Sequence, residues 1–243
     1  MPTAASRAAL AVSLGVALLL PHGFARAQVA DGVGDGIGAS VTLLSNYLYR
    51  GASLSDERPT LSLDLSLDGP SGGFAGASFT GVTLGPDDRR QLQALGYAGY
   101  AGRLSERLGW EAGALASFFS VDSRYDYAEL FTGLNGEEWN LRLHYAPDYF
   151  GSGTATAYGE WNLGIPLTPL LRATAHAGGL RLLGAGPPGS SRTNLDGSVG
   201  LAFARDAWEL KLDWVVGGRN PLYPTAYGHS TTHALVLAAS LAF

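Results

Sequence analysis

The sequence predicts an all-β fold: a single antiparallel transmembrane barrel of about twelve strands, with short turns at one end and longer loops at the other. Three observations carry this. Alternation with period two recurs through the chain, and no sustained 3.6-residue pattern comes after the first 27 residues. The joints between alternating segments switch regularly between short and long. The last segment, THALVLAASLAF, is amphipathic and closes on Phe243.

The N-terminal residues read as an export signal. Arg7 gives a basic start, Ala8 to Leu20 an apolar run, and Ala25-Arg26-Ala27 a small-residue cleavage pattern. That run is shorter than the roughly 20 residues a spanning helix needs. The expected organisation is a signal peptide over 1–27, a flexible leader over 28–38 and a barrel over 39–243. The glycines of the leader alternate beside Asp31 and Asp35, but without the strand, helix or later carboxylate of a phosphate or Ca²⁺ loop.

The strands come in order. The first is expected over 39–49, ending beside Arg50, and the second over 59–69. In the second, Leu61, Leu63, Leu65 and Leu67 oppose Ser62, Asp64 and Ser66. Further segments fall near 73–83, 91–101, 107–118, 125–134, 138–148, 155–165, 169–181, 193–204, 207–217 and 232–243. Each approaches the ~10 residues that a tilted strand needs to cross a bilayer. Trp139 to Tyr145 and Trp208 to Trp214 show the alternation most clearly, with Asn140, Arg142 and His144, or Glu209, Lys211 and Asp213, on the polar face.

Short joints are 69–73, 102–107, 135–138, 166–169 and 204–207. Longer ones are 50–59, 82–90, the stretch around 120–124, the stretch around 147–153, 182–192 and 217–232. With both termini at one end and an even strand number, every short turn falls on the terminal side. A soluble barrel has no reason to sort its loops in this way.

Composition narrows the function. The chain has no Cys, which excludes disulfides and thiolate chemistry. Without Arg7 and Arg26 it carries 14 Lys+Arg against 21 Asp+Glu, a net of −7, which argues against nucleic acid as a partner. The polar faces place Asp64, Glu111, Glu129, Arg142, His144, Glu160, Asn162, Arg172, His176, Asp196, Glu209, Lys211 and Asp213 inside the barrel, with Arg50 at its rim. Such residues either filter solutes or satisfy one another across strands. Tyr47, Tyr49, Trp139, Tyr145, Tyr149, Trp208 and Phe243 lie near strand ends and are expected in interfacial girdles.

His144, His176, His229 and His233 lack the spacing of a helical zinc motif, and no cofactor or metal is expected. Ser230 beside His229 is the one adjacent pair of hydrolase type. Neighbours on an extended chain point apart, and no G-x-S-x-G elbow is present, so no enzymatic activity is expected. Tyr223 and Tyr227 are loop residues that could stack on a sugar, although girdle and loop packing accounts for them better.

Over SNYLYRGASLSDERP, residues 45–59, the chain resembles the TorF family of outer-membrane porins. Similarity continues through GFAGAS (73–78), LGYAGY (95–100), DYAELFTGL (126–134), HYAPDYFG (144–151), AHAGG (175–179) and NLDGSVG (194–200), spanning the chain beyond the signal. Asn46 replaces a frequent Asp of the family's first motif, and Gln91 and Gln93 stand where its fourth strand is often acidic. The resemblance implies an outer-membrane barrel that passes small hydrophilic solutes, with membrane lipid and the barrel-assembly machinery as partners and Phe243 as assembly signal. The alternatives are a non-conducting structural or adhesion barrel and a lipid hydrolase.

Overall fold

The computed structural model describes residues 36–84, 89–186, 191–217 and 233–243. The expected signal peptide, Asp31, Asp35, Tyr223, Tyr227, His229 and Ser230 lie outside the described residues.

Twelve antiparallel strands form a closed barrel. They are β1 (Gly36–Leu44), β4 (Thr60–Asp68), β5 (Gly73–Leu84), β6 (Arg89–Arg103), β7 (Gly109–Phe119), β8 (Tyr127–Asn135), β9 (Trp139–Ala146), β10 (Thr156–Pro166), β11 (Leu171–Leu182), β12 (Thr193–Arg205), β13 (Trp208–Gly217) and β14 (His233–Ala242). Two short strands, β2 (Leu48–Tyr49) and β3 (Ala52–Ser53), form a separate hairpin between β1 and β4. Closure comes from β1, which pairs with β4 on one side and with β14 on the other. Phe243 continues that seam: its N–H donates to the Ala39 carbonyl, and its own carbonyl accepts from Ala39. Closing the ring pairs each of the twelve barrel strands described on both sides, which a barrel in lipid requires.

The outer face is apolar. Leu61, Leu63, Leu65 and Leu67 of β4 are all exposed, as are Leu141, Leu143 and Tyr145 of β9 and Leu210, Leu212 and Trp214 of β13. The residues between them point inward: Ser62, Asn140, Arg142, His144, Lys211 and Asp213 are buried. An exposed apolar exterior around a polar and charged interior inverts the arrangement of a soluble barrel and fits a wall that faces lipid. Among the described residues no helix is long and apolar enough to cross a membrane.

Glycines make room for rings inside. A Cβ at Gly99 would lie 2.5 Å from the Phe74 ring, and one at Gly113 would lie 2.6 Å from the Phe131 ring. These pairs face each other directly across strands, Phe74 with Gly99 and Gly113 with Phe131. The aromatic side chain lies over the empty glycine position, which lets a narrow barrel be filled without strain.

The short-turn end holds 69–72, 104–108, 136–138, 167–170 and 206–207 together with β1's start and Phe243. Two expectations about the strands change. Residues 82–90 are not a long loop: Val82, Thr83 and Leu84 pair with Gln91, Arg90 and Arg89, so β5 and β6 extend past the expected boundary. The first strand begins at Gly36, inside the expected leader, and ends at Leu44 rather than at 49.

Beyond Leu44 the chain leaves the wall. The segment 45–55 turns into the barrel, and every residue from Asn46 to Ser55 is buried. Arg50 and Gly51 form the two-residue turn of the β2–β3 hairpin, with Leu48 opposite Ser53 and Tyr49 opposite Ala52. Both turn residues have positive φ, 49° and 77°, as a type I′ turn requires. Gly tolerates this freely, whereas for Arg50 it costs about 1 kcal/mol or more. Side chains close the base: Ser53 and Ser55 hydroxyls donate to Asn46 Oδ1 at 2.7 and 3.2 Å, and Ser55 Oγ accepts from the Tyr47 N–H at 2.9 Å.

Candidate functional site

The hairpin spans the lumen. The Leu54 carbonyl accepts from the Thr83 N–H of β5 at 2.7 Å, while Leu48 shares an apolar cluster with Val215 and Val236 of β13 and β14. At the tip, Gly51 approaches so closely that a Cβ on Gly217 would overlap the Gly51 carbonyl oxygen. Arg50 is therefore not at a strand end on the rim; it projects from an internal turn, because the chain leaves the wall at Ser45.

The Arg50 guanidinium meets the Glu129 carboxylate of β8 in a fork, Nη1 to Oε1 at 2.8 Å and Nη2 to Oε2 at 2.6 Å. Both side chains are almost fully buried. Three tyrosine rings surround the guanidinium, with centroids at 4.2 Å (Tyr158), 5.0 Å (Tyr49) and 5.2 Å (Tyr149). Bidentate geometry and aromatic faces are what a planar guanidinium accepts best in a desolvated site.

From Glu129 the polar contacts run along the wall. His144 Nδ1 lies 3.2 Å from Glu129 Oε2, and its Nε2 lies 3.4 Å from Glu160 Oε1. Arg142 donates from Nε to Glu111 Oε1 at 2.7 Å and approaches Glu160 at 3.7 Å. Six residues from β7, β8, β9, β10 and the hairpin thus form one contiguous chain of acidic and basic side chains. A second network joins His176 to Asp196 at 2.8 Å and to Asn162 at 2.7 Å, with the Tyr158 hydroxyl donating to Asp196 at 3.1 Å. Toward the short-turn end, Arg172 pairs with Glu209 at 3.1 Å, and Lys211 with Asp213 at 3.1 Å.

On their strands Asp64, Glu111, Glu129, Arg142, His144, Glu160, Asn162, Arg172, His176, Asp196, Glu209, Lys211 and Asp213 are buried or half-buried, on the faces opposite the exposed apolar residues. Asp64 stands apart from the ion pairs, accepting instead from the Ser62 hydroxyl at 3.2 Å beside Ser78 and Thr80. Among the described residues no group of His, Asp and Glu is arranged to hold a metal ion.

Three girdle assignments are corrected. Tyr47, Tyr49 and Tyr149 are buried inside the barrel rather than set against lipid. The Tyr127 hydroxyl donates to that of Tyr49 at 2.9 Å, and Tyr127 stacks on Phe150 with centroids 4.7 Å apart. Residues 147–155 thus fold over the hairpin rather than outward. The sequence signal for this was weak, because Arg-Gly is not a preferred I′ turn pair and a terminal Tyr can serve lipid or lumen equally. Trp208, Tyr145 and Phe243 do face outward.

A family model described as a bacterial protein of unknown function, Gcw_chp, matches residues 29–239. The chain belongs to the Gcw_chp family. No curated protein matches its sequence. Among solved structures, this Gcw_chp barrel is similar to the NanC porin, with a TM-score of 0.58 and 11% identity over 85% of this chain and 98% of that one. It is also similar to the KdgM porin, with a TM-score of 0.51 and 12% identity over 85% and 98%. A KdgM porin in complex with disordered oligogalacturonate matches at a TM-score of 0.51 and 11% identity, over 85% and 98%. The fold is that of a small outer-membrane porin.

Proposed function

We propose that this Gcw_chp protein is an outer-membrane channel through which small hydrophilic solutes or ions diffuse passively, with the 45–55 hairpin as its constriction. The observation that carries this reading is the hairpin itself. It enters a closed, charged barrel as a discrete insert held at its tip by one side chain, Arg50, on Glu129. An inserted segment in a polar lumen sets the width and charge of a path, which are the terms that decide selectivity. The likeness to the NanC and KdgM porins and the resemblance to the TorF porins support the same reading.

Lipid is then the partner of the apolar band, and the assembly machinery the partner of the strand that ends at Phe243. Export through a cleaved signal peptide completes the route, and the chain acts without enzymatic chemistry or cofactor.

Selectivity derives from charge. Asp64, Glu111, Glu129, Glu160, Asp196, Glu209 and Asp213 face the lumen against Arg50, Arg142, Arg172 and Lys211. An acidic surplus favours cations over anions. An anionic sugar of the kind present in the KdgM complex is on this ground a poor solute for this barrel. A non-conducting structural barrel is the second reading, favoured by Phe74, Leu95, Leu115 and Phe131, which fill the interior side of β5–β8. Reversal potentials of the purified protein in a KCl gradient decide between them. Cation preference supports the channel, anion preference removes the selectivity argument, and absence of current at every voltage leaves the structural barrel.

A further inference from the structure

We infer that Arg50 is an internal stand-in for a solute, and that the seat it fills is a binding site for small organic cations of the guanidinium class. The inference deepens the channel reading, on which it rests for the route by which such a cation would arrive.

Apart from Tyr49, the seat is not part of the hairpin. Its carboxylate belongs to β8, one ring (Tyr158) to β10 and another (Tyr149) to the segment before β10. Each wall is held by contacts that Arg50 does not supply. The Tyr158 hydroxyl donates to Asp196 at 3.1 Å and lies 3.2 Å from His176 Nε2. Glu129 Oε2, which accepts from Arg50 Nη2, also has His144 Nδ1 at 3.2 Å. Tyr149 packs edge-on to Tyr127 with centroids 5.1 Å apart. Withdrawal of the hairpin would leave a carboxylate fork below two aromatic faces, already oriented.

The chemistry of that seat selects its ligand. A small inorganic cation can chelate both carboxylate oxygens, but it fills its remaining coordination positions with oxygen ligands that the tyrosine ring faces do not offer. An alkylammonium gains from the rings but cannot match both oxygens with a planar fork. A guanidinium does both, as Arg50 shows with its 2.8 and 2.6 Å bonds and the Tyr158 ring at 4.2 Å. A buried carboxylate without a partner is costly, so the seat retains affinity for a cation when Arg50 is absent. Arg50 itself is carried on a strained backbone, φ 49°, at the tip of a hairpin of two-residue strands. Such a side chain can be exchanged for a free ligand without disturbing the wall.

The test uses the folded full-length barrel in detergent micelles, where binding is read without any need for conduction. Arg50→Ala empties the seat. Agmatine should then bind saturably by calorimetry and raise the unfolding midpoint, roughly tenfold tighter than butylamine. Urea should have no such effect. The gain should be much weaker in the wild type, where Arg50 competes for the seat, and lost in Arg50→Ala/Glu129→Gln. Arg50→Gln, which keeps most of the side chain's bulk, should show the same order more weakly and serves if the Ala variant folds poorly. In the wild type, excess agmatine should accelerate hydrogen exchange of the 48–53 amides. Equal binding of agmatine and butylamine, or agmatine binding that survives Glu129→Gln, overturns the proposal. Agmatine binding to an Arg50→Ala barrel that passes no current supports the seat and refutes the channel.

Discussion

The two walls of the lumen are built on opposite principles. On β7–β11 the inward positions carry Glu111, Glu129, Arg142, His144, Glu160 and His176, each in contact with a partner of opposite charge or a hydrogen-bonding ring. On β14, β1, β4 and β5 they carry Ser240, Thr42, Ser62, Ser78 and Thr80, joined by hydroxyl contacts such as Thr42 to Ser240 at 2.9 Å and Ser62 to Thr80 at 2.9 Å. The first wall is packed: Arg142, Glu111 and Glu129 have almost no exposure. The second has small side chains and a half-buried Asp64. Long charged side chains therefore fill the first wall, whereas short hydroxyls line the second, where Ser62 and Thr80 are equally buried.

That contrast can be broken at single residues. The largest effect is expected for Arg142→Ala, which leaves Glu111 and Glu160 buried together without their guanidinium. Removing one partner of a buried pair costs roughly 3–5 kcal/mol. A urea unfolding titration in lipid vesicles measures it, and a loss near that of a surface pair would show that water reaches this wall.

On the hydroxyl wall the outward residue should matter more than the inward one. Leu63→Arg sets a charge against hydrocarbon and should cost roughly 2–4 kcal/mol near the midplane. Its neighbour Ser62→Ala removes the hydroxyl that meets Asp64, Ser78 and Thr80 and should cost about 1 kcal/mol. Equal losses in the same titration would mean that the facing of β4 is misassigned.

The smallest effect belongs to a pair with short bonds and an exposed guanidinium. Arg124 donates to Asp122 at 2.6 and 2.8 Å in the exposed 120–126 loop. Its guanidinium holds the Asp122 carboxyl below the usual carboxylate range. Exposed pairs contribute little because water solvates both partners when they part. Asp122→Asn should leave the unfolding curve unchanged, and a clear loss would show that the loop is packed against the barrel mouth.

The legibility of each wall in the sequence divides along the same line. Strict alternation in WNLRLHYA places Asn140, Arg142 and His144 inward, since a period of two leaves a regular strand no other choice. The same rule carried past Leu44 leads to a strand end at Arg50, where the chain instead leaves the wall. Nothing local distinguishes the two outcomes: Tyr47 and Tyr49 fit a lipid girdle as well as a lumen insert. The partner that draws Arg50 inward, Glu129, is 79 positions away, and only barrel closure brings them together. The extension of β5 and β6 is hidden for a related reason, because Thr83 and Arg90 read as loop until their register is known.

Unitary conductance in planar bilayers, recorded for the wild type beside Arg50→Ala, tests the central claim most directly. A porin-like channel constricted by the hairpin predicts resolvable current steps in both, with larger steps in the variant because the tip loses its hold on Glu129. Silence in both would contradict the account and leave a barrel that does not conduct.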